Sequence, residues 1–299
     1  MCSQGTMEYA LVNCNKTEEN TKEYAAFPCR MKEAFRGTEF VVSLCGCRQL
    51  PGWHPGIRKA GACIRVGSKE IRKGIRLMKQ SRKWVLSGVM LCMFVLLIIL
   101  LKSVDVAAVG PEGTVIGLSH VNAAFHDGTG VNMTWYKITQ GLGLVTIATA
   151  GVFACIGVIQ LIQRKSLRKV DPAILRLGAL YVLVMILYVF FEKFIVNYRP
   201  IVMPGADTPE ASFPSTHTML VCTVMGSTMM AIGQYLPNMK LRTGVRLVCA
   251  IIIGVTVVGR LLCGVHWLTD IFGGLLISAS LLFMFSAFAD RMNTSEQRL

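Results

Sequence analysis

Charged residues are scarce in this chain. Asp, Glu, Lys and Arg account for 16% of its 299 residues, while 53% are hydrophobic. A soluble domain of this length rarely buries so much apolar surface. The composition therefore argues against a soluble globular protein and favours a polytopic membrane protein. Internal repeats and low-complexity tracts, which would suggest another class, are absent from the sequence.

Acidic residues are the scarcer kind of charge. They number 17 against 31 basic residues, which gives a formal net charge of +14. In a soluble protein this excess would suggest a nucleic-acid partner, but the sequence contains no recognisable RNA- or DNA-binding module. Most of the basic residues flank apolar runs instead. We therefore expect no nucleic-acid partner and interpret the basic residues as orientation signals and contacts with anionic lipid.

Residues 1–77 lack a long apolar run, although they carry six of the eleven cysteines. They also lack the paired CxxC motifs of a typical zinc site, so we expect no metal there. The side chains that could otherwise act as ligands are Cys45, Cys47, His54 and Cys63. We predict a basic, Cys-containing leader that is largely disordered. A second hypothesis is that the native protein begins at Met78, just before the first apolar run.

Six apolar segments follow within residues 78–299. The predicted spans are approximately residues 84–101, 138–162, 173–191, 215–235, 245–258 and 266–288. Helices satisfy all their backbone hydrogen-bonding groups inside a bilayer. The sequence therefore predicts an all-α fold, a bundle of six transmembrane helices embedded in the bilayer.

Basic residues are concentrated in one set of loops. They are abundant in the leader, in residues 164–169 after the second span and in residues 240–246 after the fourth. The positive-inside rule makes that side cytoplasmic and places both termini there. Apart from Lys102 and Lys137 at the ends of spans, the cations on the opposite, extracytoplasmic side are Lys193, Arg199 and Arg260. This exception is what an outward-facing anion site would require.

Three polar clusters interrupt the apolar second half of the chain. They are Lys193 with Arg199-Pro200, then Pro214-Ser215-Thr216-His217, and then Gly259-Arg260 with His266 and Asp270. Ionisable side chains at membrane depth are costly and call for a functional or pairing explanation. Cations, imidazoles and a carboxylate are the groups that can bind and attack a phosphate. We expect the clusters to meet at the extracytoplasmic end of the last four spans.

The spacing of two residues suggests a nucleophile. His266 and Asp270 are four positions apart, which predicts a shared helix face. The carboxylate would then hold one ring nitrogen and leave the other free to attack phosphorus. We therefore assign His266 as the nucleophile and Asp270 as its orienting group. Taken alone, the pair is also consistent with a purely structural hydrogen bond.

The remaining candidates surround the phosphate. His217, at the start of a helix, is the candidate general acid for the leaving group. Ser215 and Thr216 precede it, where free N–H groups and hydroxyls favour an anion, although Ser-Thr-His after Pro is also a common helix cap. The other proposed phosphate ligands are Arg199, Arg260 and Lys193. Lys193 has a second reading, in which it extends to the membrane interface.

The clusters resemble the three-part signature of the type 2 phosphatidic acid phosphatase (PAP2) superfamily over roughly residues 84–288. That family's pattern is Lys, six residues, Arg-Pro; then Pro-Ser-Gly-His; then Ser-Arg, five residues, His, three residues, Asp. This chain differs in three places: five residues separate Lys193 from Arg199, Thr216 stands for the Gly, and Gly259 stands for the Ser. The shorter spacing moves Lys193 about 100° around a helix.

The resemblance implies a PAP2-like membrane phosphatase that needs no metal or cofactor. It implies hydrolysis of a lipid phosphomonoester or pyrophosphate through a phosphohistidine. A polyprenyl pyrophosphate such as undecaprenyl pyrophosphate is the first choice, because an outward-facing site suits recycling of a cell-envelope carrier. Phosphatidylglycerol phosphate and phosphatidate are the other substrates considered. A lipid phosphotransferase and a non-catalytic lipid-binding or transport protein are the alternative functions, and the sequence does not predict the oligomeric state.

The outer segment between the first two spans carries His120, His126 and Asp127. It could cover the site or select the substrate, or it could be an ordinary surface loop. The sequence favours the surface loop.

Overall fold

The structure is a computed structural model, and it describes residues 31–36, 39–44, 63–66 and 68–296, with side chains for residues 77, 78 and 80–290. The chain divides into two compact units, Met1–Arg72 and Lys73–Leu299. The possible metal ligands Cys45, Cys47 and His54 lie outside the described residues, as does the side chain of Cys63. Most of the leader predicted to be disordered also lies outside them.

The first unit contains an antiparallel sheet with strand order β1-β2-β3. The strands are β1 (Met31–Arg36), β2 (Glu39–Leu44) and β3 (Cys63–Val66). The register pairs Met31 with Leu44 and Phe40 with Val66. The sequence analysis did not predict this sheet, because strands of four to six residues give too little alternation to detect.

The second unit is helical. Its helices are α1 (Ser68–Ser103), α2 (Ser119–Thr129), α3 (Met133–Arg164), α4 (Pro172–Lys193), α5 (Thr216–Ala231), α6 (Met239–Leu262) and α7 (Leu268–Glu296). Three short 3-10 turns, Pro111–Gly113, Leu167–Lys169 and Ile232–Gln234, lie between them. The prediction of an all-α membrane bundle is confirmed for this unit. α1 begins at Ser68, within the segment that the sequence analysis assigned to the leader.

Five of the described helices are long and apolar enough to cross a membrane: α1 from Gln80, α3, α4, α6 and α7 as far as Asp290. The fourth predicted span is the exception. α5 has 16 residues and is followed directly by the turn Ile232–Gln234. Sixteen residues rise about 24 Å, somewhat less than the hydrocarbon core of a bilayer. The six-span count is therefore approximate.

α5 is short because it is the central helix. It packs against α3, α4, α6 and α7, and eleven of its residues are buried. Lipid contacts little of its surface, so hydroxyl-bearing residues are tolerated along it. The outer helices show the reverse pattern, since large apolar side chains of α1, α3 and α4 are exposed as expected for lipid-facing surfaces.

The helix boundaries follow capping side chains. Asp171 accepts a hydrogen bond from the Ala173 N–H (2.9 Å) with Pro172 in the first turn, which confirms the helix start predicted there. The Asn132 side chain caps α3, and Asn238 caps α6. Each cap satisfies backbone N–H groups that have no partner inside the helix.

The two ends of the bundle differ in charge. At one end, the Tyr235 hydroxyl donates to Asp171 (3.0 Å), which joins the turn after α5 to the start of α4. The basic residues of segment 164–169 lie at this end. So do those at positions 240–246, which the structure places in the first turns of α6 and not in the predicted loop. α4 then runs for 22 residues to Lys193, at the opposite end, where the polar clusters lie.

Candidate active site

Backbone contacts at the Lys193 end of the bundle bring separate parts of the chain together. The Ser215 N–H donates to the Asp270 carbonyl (2.9 Å), which ties the start of α5 to the first turn of α7. The Trp267 indole N–H donates to the Tyr198 carbonyl (2.6 Å), so the turn between α6 and α7 holds the loop after α4. Residues distant in sequence, including Arg199 and His266, therefore meet on one scaffold.

The predicted helix face shared by His266 and Asp270 does not form. α6 ends at Leu262 and α7 begins at Leu268, so His266 lies in the turn between them and only Asp270 is helical. Gly264 explains the turn, because its φ of +67° and the approach of the Gly130 carbonyl leave no room for a Cβ. The residues are still neighbours, with His266 Nδ1 3.6 Å from Asp270 Oδ2.

Ser212 lies between these two side chains. Its hydroxyl oxygen is 3.0 Å from His266 Nδ1, and the hydroxyl donates a short hydrogen bond to Asp270 Oδ2. The Trp267 backbone N–H donates to the same carboxylate oxygen (2.8 Å). The sequence analysis missed Ser212, because a serine two residues before Pro214 has no spacing relation to His266 or Asp270 that could have revealed it.

His266 is buried, and its environment disfavours a positive charge. Burial lowers the pKa of its imidazole well below the ordinary value, and the charges of Arg199 and Arg260 lower it further. The neutral ring keeps a lone pair on one nitrogen. Because Nδ1 faces Ser212 and Nε2 has no hydrogen-bond partner among the described residues, Nε2 is the nitrogen available for chemistry.

Two guanidinium groups lie beside the imidazole. Arg260 is fully buried; its Nη2 donates to Gln140 Oε1 (3.0 Å), and its guanidinium carbon lies 5.2 Å from the ring centre of Tyr136. Arg199 forms an ion pair with the half-exposed Glu210 (3.1 Å from Nε to Oε2). Both guanidinium groups act electrostatically on His217 as well as on His266.

Several buried nitrogens in this cluster lack hydrogen bonds to any residue in the described part of the chain. They are Arg199 Nη1, Arg260 Nε and Nη1, and His266 Nε2. A buried donor without a partner costs about 1–3 kcal/mol, so native structures seldom retain several together. An anion with multiple oxygen atoms would satisfy the guanidinium donors at once.

The predicted residues at the start of α5 occupy different positions. Ser215 is buried and caps the helix, with its hydroxyl oxygen 3.1 Å from the Thr218 hydroxyl. Thr216 and His217 are partly buried, and their side chains form no hydrogen bond to any described residue. His217 packs against Gly143 of α3, where a Cβ would lie 3.2 Å from the ring.

Lys193 is the predicted ligand that the structure does not bring to the cluster. It is the last residue of α4, its side chain is exposed, and it has no hydrogen bond or ion pair with the described residues. The rotation about a helix expected from the five-residue spacing does not apply, because α4 ends at Lys193 and the residues before Arg199 form an irregular loop.

The outer helix α2 supports the turn that carries His266. The His126 ring lies 5.5 Å from the Trp267 ring, and its Nε2 is 3.2 Å from the Gly264 carbonyl oxygen. Asn122, fully buried, accepts from the Thr269 N–H (3.2 Å). This part of the outer segment is therefore packed against the turn, whereas His120 is exposed on the other side and pairs with Asp105.

The fold and this cluster define a helical, multi-pass membrane protein with buried cations and imidazoles grouped at one end of its bundle. Within that class, the family model of the PAP2 superfamily matches residues 173–293 of the chain. That segment contains all of the predicted site residues, from Lys193 to Asp270.

A comparison with solved structures finds a similar fold. The chain resembles the crystal structure of the first transmembrane PAP2 type phosphatidylglycerolphosphate phosphatase from Bacillus subtilis, with 19% identity and a TM-score of 0.50. The match covers 69% of this chain and 96% of that one. At this identity the likeness concerns the fold. A comparison with curated proteins finds no match.

Proposed function

We propose that the chain is an integral-membrane lipid phosphatase. The observation that carries the proposal is the group of buried nitrogens on Arg199, Arg260 and His266 that have no hydrogen-bond partner in the described part of the chain. The guanidinium donors suit the oxygens of a phosphate, and the neutral imidazole suits its phosphorus. The match of residues 173–293 to the PAP2 superfamily model and the fold similarity to a phosphatidylglycerolphosphate phosphatase support the same reading.

The proposed reaction proceeds in two displacements. His266 Nε2 attacks phosphorus, and the bond from phosphorus to the leaving oxygen breaks. His217, whose protonated form is favoured by the negative charge of the phosphate bound beside it, donates a proton to that oxygen. Water then attacks the phosphohistidine while His217 takes up its proton, and cleavage of the P–N bond releases inorganic phosphate and the neutral imidazole. Arg199 and Arg260 stabilise the charge on the equatorial oxygens in both steps. Ser215 and Thr216 offer hydroxyl and backbone donors beside them.

The proposed substrate is a lipid phosphate or pyrophosphate presented from the membrane. Its head group would occupy the cation cluster, while its tail would extend along the lipid-facing helices. A polyprenyl pyrophosphate is the first candidate, and phosphatidylglycerol phosphate and phosphatidate complete the set to be compared. We also propose that the reaction needs no metal, because the two guanidinium groups supply the positive charge that a cation would otherwise provide.

Phosphate release from these three lipids tests the proposal. We expect the purified protein to hydrolyse at least one of them, with a rate unaffected by a chelator. His266→Asn should lower kcat roughly 10⁴-fold or more, and His217→Asn by about 10²- to 10⁴-fold. His120→Asn is the matched control, because His120 is exposed on α2 and should leave kcat within about twofold of wild type.

Other results would each contradict a stated part of the proposed function. Release that survives His266→Asn would exclude the proposed nucleophile, and a chelator-sensitive rate would exclude the metal-independent reaction. Transfer of the phosphoryl group to an added acceptor lipid, in place of release, would identify a phosphotransferase. The absence of turnover with all three lipids, in the presence of bound substrate, would favour a lipid-binding protein.

A further inference from the structure

The His266–Asp270 pair is connected through a third side chain. The 3.6 Å separation of Nδ1 and Oδ2 is longer than a hydrogen bond between these atoms. Ser212 Oγ fills the gap, within hydrogen-bond distance of both. All three side chains are buried, with Ser212 only 2% exposed, so bulk water does not compete for these contacts.

The donors and acceptors in the hydrogen-bonded series of His266, Ser212 and Asp270 can be assigned. A carboxylate only accepts, so the single Ser212 hydroxyl proton is donated to Asp270 Oδ2. The Ser212 oxygen then has only lone pairs to offer His266, and Nδ1 must be the protonated nitrogen. Nε2 consequently carries the lone pair. The Ser212 hydroxyl thus fixes the tautomer in which Nε2, which has no hydrogen-bond partner among the described residues, is the nucleophilic nitrogen.

The backbone holds this arrangement in place. Asp270 is fixed by the Trp267 N–H at its carboxylate and by the Ser215 N–H at its carbonyl. The Ser212 N–H donates to the Asn197 carbonyl (2.9 Å). These backbone hydrogen bonds hold the carboxylate and the hydroxyl side by side.

We propose that Ser212 is a positioning residue that orients the nucleophilic imidazole and transmits the charge of Asp270 to it. This inference rests on the proposed function, since it assigns Ser212 a role in the phosphoryl transfer to His266. During attack, the ring becomes positively charged, Nδ1–H donates more strongly to Ser212 Oγ, and the Ser212 hydroxyl donates more strongly to Asp270. Ser212 lies at Nδ1, while Nε2 is the nitrogen that attacks, so we expect its effect in the chemical step alone.

Substitution of Ser212 tests this role against a purely structural one. Hydrogen bonds to charged groups are worth about 1.5–3 kcal/mol, so Ser212→Ala should lower kcat by about 10- to 150-fold with KM within about threefold of wild type. Ser212→Thr, which keeps the hydroxyl, should recover most of that loss. Ser278→Ala is the matched control, since it removes another buried hydroxyl, bonded to the Gly274 carbonyl deeper in α7, and should leave kcat unchanged.

Inhibition supplies a second readout. Orthovanadate mimics the five-coordinate transition state and needs the Nε2 lone pair, whereas inorganic phosphate binds through its oxygens. Ser212→Ala should weaken inhibition by orthovanadate by a factor similar to its loss in kcat/KM and leave inhibition by phosphate nearly unchanged. Ser212→Cys keeps the side-chain volume but is a weak hydrogen-bonding group, so it gives the same test if the alanine variant does not fold.

The result that would overturn the inference is distinct from failure of the proposed function. If wild type hydrolyses a lipid phosphate and Ser212→Ala matches Ser278→Ala in kcat, Ser212 has no positioning role. A loss confined to KM, or a Ser212→Thr variant no faster than Ser212→Ala, would also overturn it. If wild type itself shows no phosphatase activity, the proposed function fails first.

Discussion

His266 is buried, and its Nε2 has no hydrogen-bond partner among the described residues. Burial and the two arginines keep the ring neutral, and Ser212 directs its free lone pair away from Asp270. The sequence predicts that His266 and Asp270 are neighbours, and they are, although the helix face expected to join them does not form. Ser212 could not be predicted, because its contact with them depends on a loop whose path has no periodic signal. Lys193 is the opposite case. It matches the motif in residue type, but its exposed side chain forms no hydrogen bond or ion pair with the described residues.

The ionisation of His266 predicts how stability changes with pH. Its pKa is lowered in the folded state, so below the ordinary value of about 6.5 the unfolded chain binds more protons than the folded one. The stability due to the neutral ring is present above that pH and is lost as the pH falls below it. This one group can change the free energy of unfolding by up to about 1.4 kcal/mol per pH unit.

Thermal unfolding in detergent at pH 7 and pH 5 measures this effect. We expect Tm of the wild type to fall more on acidification than Tm of His266→Asn, which lacks the titrating ring. The other histidines are present in both proteins, so their contributions to the change in Tm cancel in the comparison. Equal decreases in Tm would contradict a neutral, buried His266.

Helix packing explains one departure from the family motif. Gly259 of α6 stands where the family has Ser, and a Cβ there would lie 2.6 Å from Thr139 Cγ2 and 3.0 Å from Trp135 Cε3 on α3. The glycine therefore permits the close approach of α3 that places Gln140 and Tyr136 beside Arg260. The sequence could show that the residue differs, but the neighbouring helix that makes glycine necessary is visible only in the fold.

Adding a methyl group at this contact tests the explanation. Gly259→Ala should destabilise the protein by about 1–3 kcal/mol through overpacking and reduce kcat/KM by displacing Arg260. Thr139→Ser removes the methyl group that meets the new Cβ and keeps the hydroxyl, so the double variant should recover part of both losses. Thermal unfolding and phosphate release report the two effects. Full activity of Gly259→Ala would show that the helices do not need this contact.

On the scale of the whole molecule, the orientation in the membrane remains a proposal. The basic segments and the candidate site lie at opposite ends of the bundle, and the positive-inside rule then places the site outside the cytoplasm. Five of the six predicted spans correspond to helices long and apolar enough to cross a membrane, because long apolar runs carry a strong signal. The short central α5 was harder to delimit, because burial among other helices, not contact with lipid, sets its composition.

Labelling with a membrane-impermeant thiol reagent tests the orientation. Glu112→Cys adds a thiol to the exposed outer segment near the site, and Lys169→Cys adds one to the exposed basic loop at the other end. Relative to wild type, we expect extra labelling of Glu112→Cys in intact cells and of Lys169→Cys only after permeabilisation. The reverse pattern would place the site on the cytoplasmic side.

The covalent intermediate tests the central claim most directly. Wild-type protein mixed with substrate labelled on the transferred phosphate, then quenched in alkali within one turnover, should retain label that is stable to base and lost in acid, as a phosphohistidine is. Peptide mapping should place that label on His266, and His217→Asn, which slows later turnover, should retain at least as much when its substrate has a good leaving group. Rapid phosphate release without any bound label, or label on a residue other than His266, would contradict the account.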